Sequence, residues 1–192
     1  QPTNFGKMAA AIRGENELWL ALALGSGEFD QLQPHQFAAA CAAIVTEITR
    51  PDTWTHYRTS NQVTEALEGL RSIRRQIFQQ QRRYQVTLPV PLEWNLIALV
   101  EAWALETEWN ELCQNTSLDE GDVVRILRRT LDILSQIYHI PFLPSSVKST
   151  ARQAAYLINR FPVNEAAGTA IREPNSSQAG DNEDGDNPNE EE

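Results

Sequence analysis

Cysteine and histidine are both scarce in this chain, and neither is spaced for chemistry. Cys41 and Cys113 are the two cysteines among 192 residues. They lie far apart, in apolar or mixed stretches, without the paired spacing of a metal site or a disulfide framework, so buried free thiols are expected. His35, His56 and His139 have no cysteine or carboxylate at ligand spacing, which argues for surface or loop positions and against a zinc or catalytic site. The chain also lacks a G-x-x-x-x-G-K-[ST] loop and any Asp-Glu-x-His or Asp-Glu-Ala-Asp box. It therefore carries no catalytic motor that hydrolyses a nucleoside triphosphate by that route. No signal peptide is evident, and no apolar run approaches the roughly 20 residues that cross a bilayer. No membrane partner is expected, and a reducing cytoplasm or a compartment derived from one is the expected location.

Period-two alternation is scarce as well, whereas apolar residues recur at spacings of three and four. The expected fold class is all-α, a helical bundle of about seven to eight helices. Hydrophobic residues make up 41% of the chain, enough for a real core. Past Pro174 they nearly vanish, and a disordered acidic C-terminal tail is expected over residues 164–192. The net charge of −10 misleads, because Asp181, Glu183, Asp184, Asp186, Glu190, Glu191 and Glu192 lie past Pro174 with no base among them. Setting those seven acids aside leaves −3 for residues 1–174. An acidic total thus does not exclude a nucleic-acid partner; what matters is whether the sixteen Lys and Arg residues share faces.

Helices are expected over residues 5–12 and 15–24, the second stopped by Gly25-Ser26-Gly27. Pro34 suits a helix start, and the alanine-rich stretch 37–48 reads as a packing helix. Residues 49–59 read as a loop, after which Ser60 caps a long helix to residue 84 with Val63, Leu67, Leu70, Ile73, Ile77 and Phe78 on one side. Steps of about 100° bring Arg71, Arg75 and Arg82 together on its flank. On spacing alone this secondary basic stripe is most simply a solvated face. Residues 92–105 are apolar almost all round, with Trp94 and Trp103 as core anchors. Glu101, Glu106, Glu108 and Glu111 lack the Glu-x-x-His elements of a diiron cage, and a solvated helix edge is expected. A short helix over 109–113 and a last one over 145–161 complete the pattern.

Between these two lies the most distinctive helix, residues 119–138. Ser117-Leu118-Asp119-Glu120 has the form of a capping box, and the acids of the first turn complement the helix dipole. Val124, Ile126, Leu127, Leu131, Ile133, Leu134, Ile137 and Tyr138 fall within half the circumference. The opposite arc collects Arg128, Asp132, Arg125, Gln136 and Arg129. Guanidinium groups fork onto phosphates or stack on bases, and Asp or Gln accepts from a sugar hydroxyl or base amine. Periodicity alone favours a salt-bridged solvated face instead. A helix-turn-helix reading fails on charge, because the first turn would set Asp119, Glu120 and Asp122 against phosphates.

Two pairs of blocks carry a family resemblance. Gly14-Glu15-Asn16-Glu17-Leu18 precedes Gly27-Glu28-Phe29-Asp30-Gln31-Leu32-Gln33-Pro34, and Val100-Glu101-Ala102-Trp103-Ala104 precedes Asp119-Glu120-Gly121-Asp122-Val123-Val124-Arg125-Ile126-Leu127-Arg128-Arg129. In this order they resemble the DSHCT domain, the C-terminal helical domain of superkiller-type DExH RNA helicases, in its cyanobacterial and chloroplast-like branch. The resemblance covers residues 3–162 and gives the acidic tail no role.

It implies that the chain, which opens at Gln1 without an initiator Met, is a piece of a larger helicase. Residues 1–13 look like the end of a preceding winged-helix region, and 14–163 like the DSHCT bundle. ATP and magnesium would belong to the absent helicase core, with none in this chain. The implied partners are single-stranded RNA, the RecA-like and winged-helix domains of the same parent protein, and RNA-decay or ribosome-processing proteins. The implied location is a bacterial cytoplasm or, alternatively, a chloroplast. In the family one helix, the ratchet helix, lines the RNA channel. By resemblance it is residues 119–138, with Arg129 and Asp132 facing the channel and Arg125, Arg128 and Gln136 beside them. The alternative from another class is a helical protein-interaction domain without direct RNA contact.

Overall fold

Helix α3 (Pro34–Val45) has no polar face beyond its first turn. Every residue from Gln36 to Val45 is buried, five of them alanine. A helix apolar all round belongs inside a bundle, and side chains of alanine size let neighbours approach closely. In the computed structural model, which describes residues 2–47 and 53–165, helices α4 (Asn61–Gly69), α6 (Ile97–Ala104), α8 (Glu120–Ile137) and α9 (Ser145–Ile158) all pack on α3. Helix α2 (Glu17–Leu24) closes one side and carries α1 (Asn4–Ala9) against it, and the short α7 (Trp109–Gln114) packs on α6. Met8 and Ile12 join the same buried cluster as Trp19, Phe37, Trp103 and Ile137. The described residues are thus helical around one shared core, with no strand among them; the expected tail falls almost wholly outside the described residues.

Trp103 is fully buried, and its indole donates to the Ile158 carbonyl at 3.0 Å. The Arg160 guanidinium stacks 3.4 Å from the centre of the Trp103 ring. It also donates to the carbonyls of Trp103 and Thr107, so the end of α9 is tied to the end of α6. Burial holds the Arg160 pKa below its ordinary value.

Several expectations from the sequence change. The long helix of residues 60–84 is two helices, α4 and α5 (Arg71–Tyr84), parted at Leu70. There the Leu70 N–H turns back to Leu67 at 3.2 Å, a tightened three-residue turn beside Gly69, where the Glu28 carboxylate lies against the bare Cα. The break lets α4 follow α3 while α5 follows α2. Residues 86–93 form no regular element after Gln85 ends α5 in the left-handed conformation, and a 3₁₀ turn (Trp94–Leu96) precedes α6. The capping box does not form on Ser117. The N-cap of α8 is Asp119, and the Ser117 hydroxyl accepts from the Thr53 N–H at 2.8 Å. The reason is tertiary: residues 53–56 pair with 115–117 through a bridge between Thr55 and Thr116. A reciprocal capping box forms instead on α3, between Gln33 and Gln36. Tyr138, expected on the buried half of α8, is exposed, with the Arg152 guanidinium over its ring.

Glu101 is also not on a solvated edge. It is 5% exposed, accepts from the Ser60 N–H at the start of α4 at 3.0 Å, and lies 3.7 Å from His35 Nε2. His35 therefore has a carboxylate neighbour that sequence distance hid.

Two predictions follow from this packing. Ala40→Leu forces bulk into the centre of the bundle and should destabilise the chain by about 1–3 kcal/mol in urea titration; an unchanged midpoint would show that α3 is not tightly packed. The Cys41 thiol is fully buried and its pKa pushed far above the ordinary thiol range, while burial and the Glu120 charge push Cys113 up to about 11. Neither is a thiolate at neutral pH. Iodoacetamide at pH 8 should leave Cys41 unmodified in the folded chain and modify Cys113 slowly, with both reacting once urea unfolds it.

Candidate nucleic-acid interface

A helix buried at its C-terminal end must find donors for its last four carbonyls. At the end of α3 each is accounted for. Ala42 accepts from the Thr46 N–H at 3.1 Å, Ala43 from the Glu93 N–H at 2.9 Å, and Ile44 from the Trp19 indole at 3.1 Å. Val45 accepts from Arg129 Nε at 2.8 Å. The guanidinium suits this place twice, as a donor and as a cation at the negative end of a helix dipole. Its Nη2 reaches Glu15 at 2.7 Å, with both side chains about half exposed. Arg129 thus joins α8, the end of α3 and the segment entering α2.

Around this junction opens a pocket of about 530 Å³, lined by Arg13, Glu15, Trp19, Val45, Pro89, Arg129, Asp132 and Gln136 among others. Gln136 clamps the backbone of Arg13, accepting from its N–H at 2.7 Å and donating to its carbonyl at 3.2 Å. Asp132 is exposed and makes no ion pair or hydrogen bond among the described residues. Two cations, Arg13 and Arg129, face two anions, Glu15 and Asp132, so the pocket's charge is balanced.

Of the five expected contact residues, the structure gathers Arg129, Asp132 and Gln136 in this pocket. Arg125 and Arg128 are not among its lining residues. Arg125 bonds Asp122 at 2.8 Å, one turn back on α8. Arg128 is half-buried, and its Nε has no hydrogen-bond partner among the described residues.

The secondary stripe is also a concave site. Arg71, Arg75 and Arg82 line an open groove of about 710 Å³ together with Arg74, Phe78, Gln79, Leu92 and Trp94. Arg71 lies 5.3 Å from the Trp94 ring centre and pairs with Glu68 at 2.7 Å. Arg74 lies 5.0 Å from the Phe78 ring and donates to the Val90 carbonyl at 2.8 Å.

The profile of the DSHCT (NUC185) domain matches residues 1–166. The chain belongs to the DSHCT family. It is 37% identical over 167 residues, 85% of its length, to the chloroplastic DExH-box ATP-dependent RNA helicase DExH15 of Arabidopsis thaliana. It is 24% identical over 138 residues, 69% of its length, to DExH-box ATP-dependent RNA helicase DExH10 of the same plant. It spans 14% of the length of each. The chain is therefore a helicase-associated helical domain, as the resemblance implied, and the family match takes in residues 1–13 together with the bundle.

Several residues that build the two sites of this DSHCT domain escaped sequence reasoning. Glu15 lay in a recognisable block, but its pairing with α8 spans more than a hundred residues and left no periodic trace. Arg74 and Phe78 were displaced by the assumption of one continuous helix. With about 100° per residue from Val63, Arg74 falls inside the apolar arc and Phe78 at its margin. The break at Leu70 frees α5 to turn both toward the arginine groove.

Arg129 should be structural although it is half exposed. Arg129→Ala leaves the Val45 carbonyl without its cationic donor and should cost about 1–3 kcal/mol in urea titration. Glu15→Ala removes only a half-exposed ion pair and should cost less than about 1 kcal/mol. Equal losses in the two variants would show that the carbonyl cap contributes nothing beyond the ion pair.

Proposed function

We propose that this chain is the C-terminal RNA-guiding module of an ATP-dependent DExH-box RNA helicase, with α8 as its ratchet helix. The observation that carries the reading is the pocket on α8, where Arg129 and Asp132, the two channel-facing positions implied by the family, lie side by side with Arg13 and Gln136. Two RecA-like domains elsewhere in the parent protein would bind ATP and magnesium and drive the cycle, a winged-helix domain would join them to the bundle, and single-stranded RNA would pass along α8.

In this mechanism Arg129 keeps one edge of its guanidinium on the Val45 carbonyl and the Glu15 carboxylate, which fixes its orientation. Its remaining N–H groups turn to a passing phosphate. Asp132 accepts from a ribose hydroxyl or base amine, a contact that reads RNA without reading sequence. Two or three such contacts correspond to a salt slope of only about −2. The isolated module should grip weakly, but tethered beside a motor that already holds the strand it acts at an effective concentration of order mM. RNA processing or decay is the proposed setting, with RNA-decay or ribosome-processing proteins as wider partners. A plastid location is supported by the relative whose name places it in the chloroplast, and a bacterial cytoplasm remains the other proposed location. No described helix is long and apolar enough to cross a membrane.

A second reading, a protein-interaction domain, draws on the balanced charge of the α8 pocket and on the exposed rings of Phe142, Tyr156 and Phe161. RNA crosslinking separates the two, since the protein-interaction reading places no adduct on residues 119–138.

The decisive variant is Asp132→Ala in the full-length helicase, because Asp132 is exposed and its removal should leave stability within about 0.5 kcal/mol. Strand unwinding should fall several-fold more than RNA-stimulated ATP hydrolysis, and the Arg129→Ala/Asp132→Ala double variant should widen that gap. Equal loss of both activities, or no loss of either, would sink the ratchet assignment.

A further inference from the structure

The cation surplus of this domain lies on α5 rather than on α8. Helix α5 buries a single residue, Ile77, of its fourteen, so most of its length contributes little to the core. Its outward face carries Arg71, Arg74, Arg75 and Arg82, and the groove they line also holds Phe78 and Trp94. Two carboxylates answer these four cations. Glu68 pairs with Arg71, and Glu93 lies near Arg74, its pKa raised by burial against the pull of that guanidinium. Arg75 and Arg82 are exposed and make no ion pair among the described residues.

We propose that this groove is a second binding surface for single-stranded nucleic acid, separate from the α8 pocket. Three features select that ligand. The guanidinium groups are strung along the helix, with about 6 Å of rise from Arg71 to Arg75 and about 10 Å more to Arg82, which suits a linear polyanion better than a compact phosphate compound. Phe78 is 39% exposed and lines the groove beside the cations, so a base can stack where a phosphate is held. Duplex bases are stacked on one another and have no free face for such a ring, which leaves a single strand. An acidic peptide would satisfy the charges but leave the exposed part of the ring, beyond its contact with Arg74, unused.

The groove also borders the α8 pocket through one wall. In the irregular segment after α5, Pro89 and Pro91 line the pocket, while Leu92 and Trp94 line the groove. That wall is pinned at Pro89 by Asn16, at Pro91 by Trp19, at Val90 by Arg74 and at Glu93 by Ala43. A strand leaving one site thus has the other beside it, held at fixed distance by a braced segment.

The described residues share one core, so the 192-residue chain is itself a suitable test object. Fluorescence anisotropy with a labelled oligouridine at low salt measures binding to wild type, to Arg75→Glu/Arg82→Glu, to Phe78→Ala and to Arg58→Glu, with thermal melts of each. The charge reversal should weaken binding at least about tenfold and flatten the salt slope by about 1.4, as expected for two lost phosphate contacts on a single strand. Phe78→Ala should weaken it at least about fivefold, the lower end of what one stacked base contributes. Arg58→Glu, at an exposed cation that lines neither site, should change it less than twofold, and because the α8 reading is tested by Asp132→Ala in the full-length helicase, a failure of that reading and a failure of this one are told apart. Unchanged binding by the charge-reversed variant at unchanged melting temperature overturns the proposal. So does polyglutamate binding as tightly as oligouridine, which would make the groove an acidic-protein site.

Discussion

A helix that ends inside a protein must have its last carbonyls answered, and in this domain that requirement organises everything near the candidate site. Helix α3 is buried because its side chains offer water nothing. Its C-terminal carbonyls therefore recruit Trp19 from α2, the Glu93 backbone from the segment before α6, and Arg129 from α8. Three separated parts of the chain are drawn to one point by a need for donors. The pocket on α8 is the space left around that junction, and its position follows from the requirement as much as from any ligand.

The two proposed sites differ in their chemistry. The α8 pocket is balanced in charge and built on a braced cation, which suits a guide that touches a strand lightly and releases it. The α5 groove is unbalanced, with arginine and aromatic side chains on a helix that contributes little to the core. A surface so weakly tied to the core can vary in its side chains at small cost to stability, whereas Arg129 is held to its identity by the Val45 carbonyl. Weak contact at the one and stronger electrostatic contact at the other are what the proposed role beside a motor requires.

The departures from expectation share a cause. Ser117 had the right neighbours for a capping box, yet its hydroxyl serves Thr53, because residues 53–56 pair with 115–117. Glu101 stood among other acids in a stretch that read as an exposed edge, yet it is buried against Ser60 and His35. In each case a local pattern was outweighed by a partner distant in sequence, and such partners leave no periodic signal. The break at Leu70 is of the same kind, since no proline announces it and only the divergent paths of α2 and α3 demand it.

What the sequence determined by itself was periodic and local: the all-α class, the buried alanine-rich helix, the two-faced α8 and the basic flank of α5. These follow from 3.6-residue spacing and from side-chain polarity, which any stretch of chain displays alone. Its ordered blocks also carried the family. Only the tertiary structure decided which polar side chains are committed to the fold and which remain available. It bound Gln136 to the Arg13 backbone and half of Arg129 to Val45, and it left Asp132, Arg75 and Arg82 exposed. The physical reason is that buried backbone groups claim their partners across the whole chain, and that claim exists only once the helices have packed.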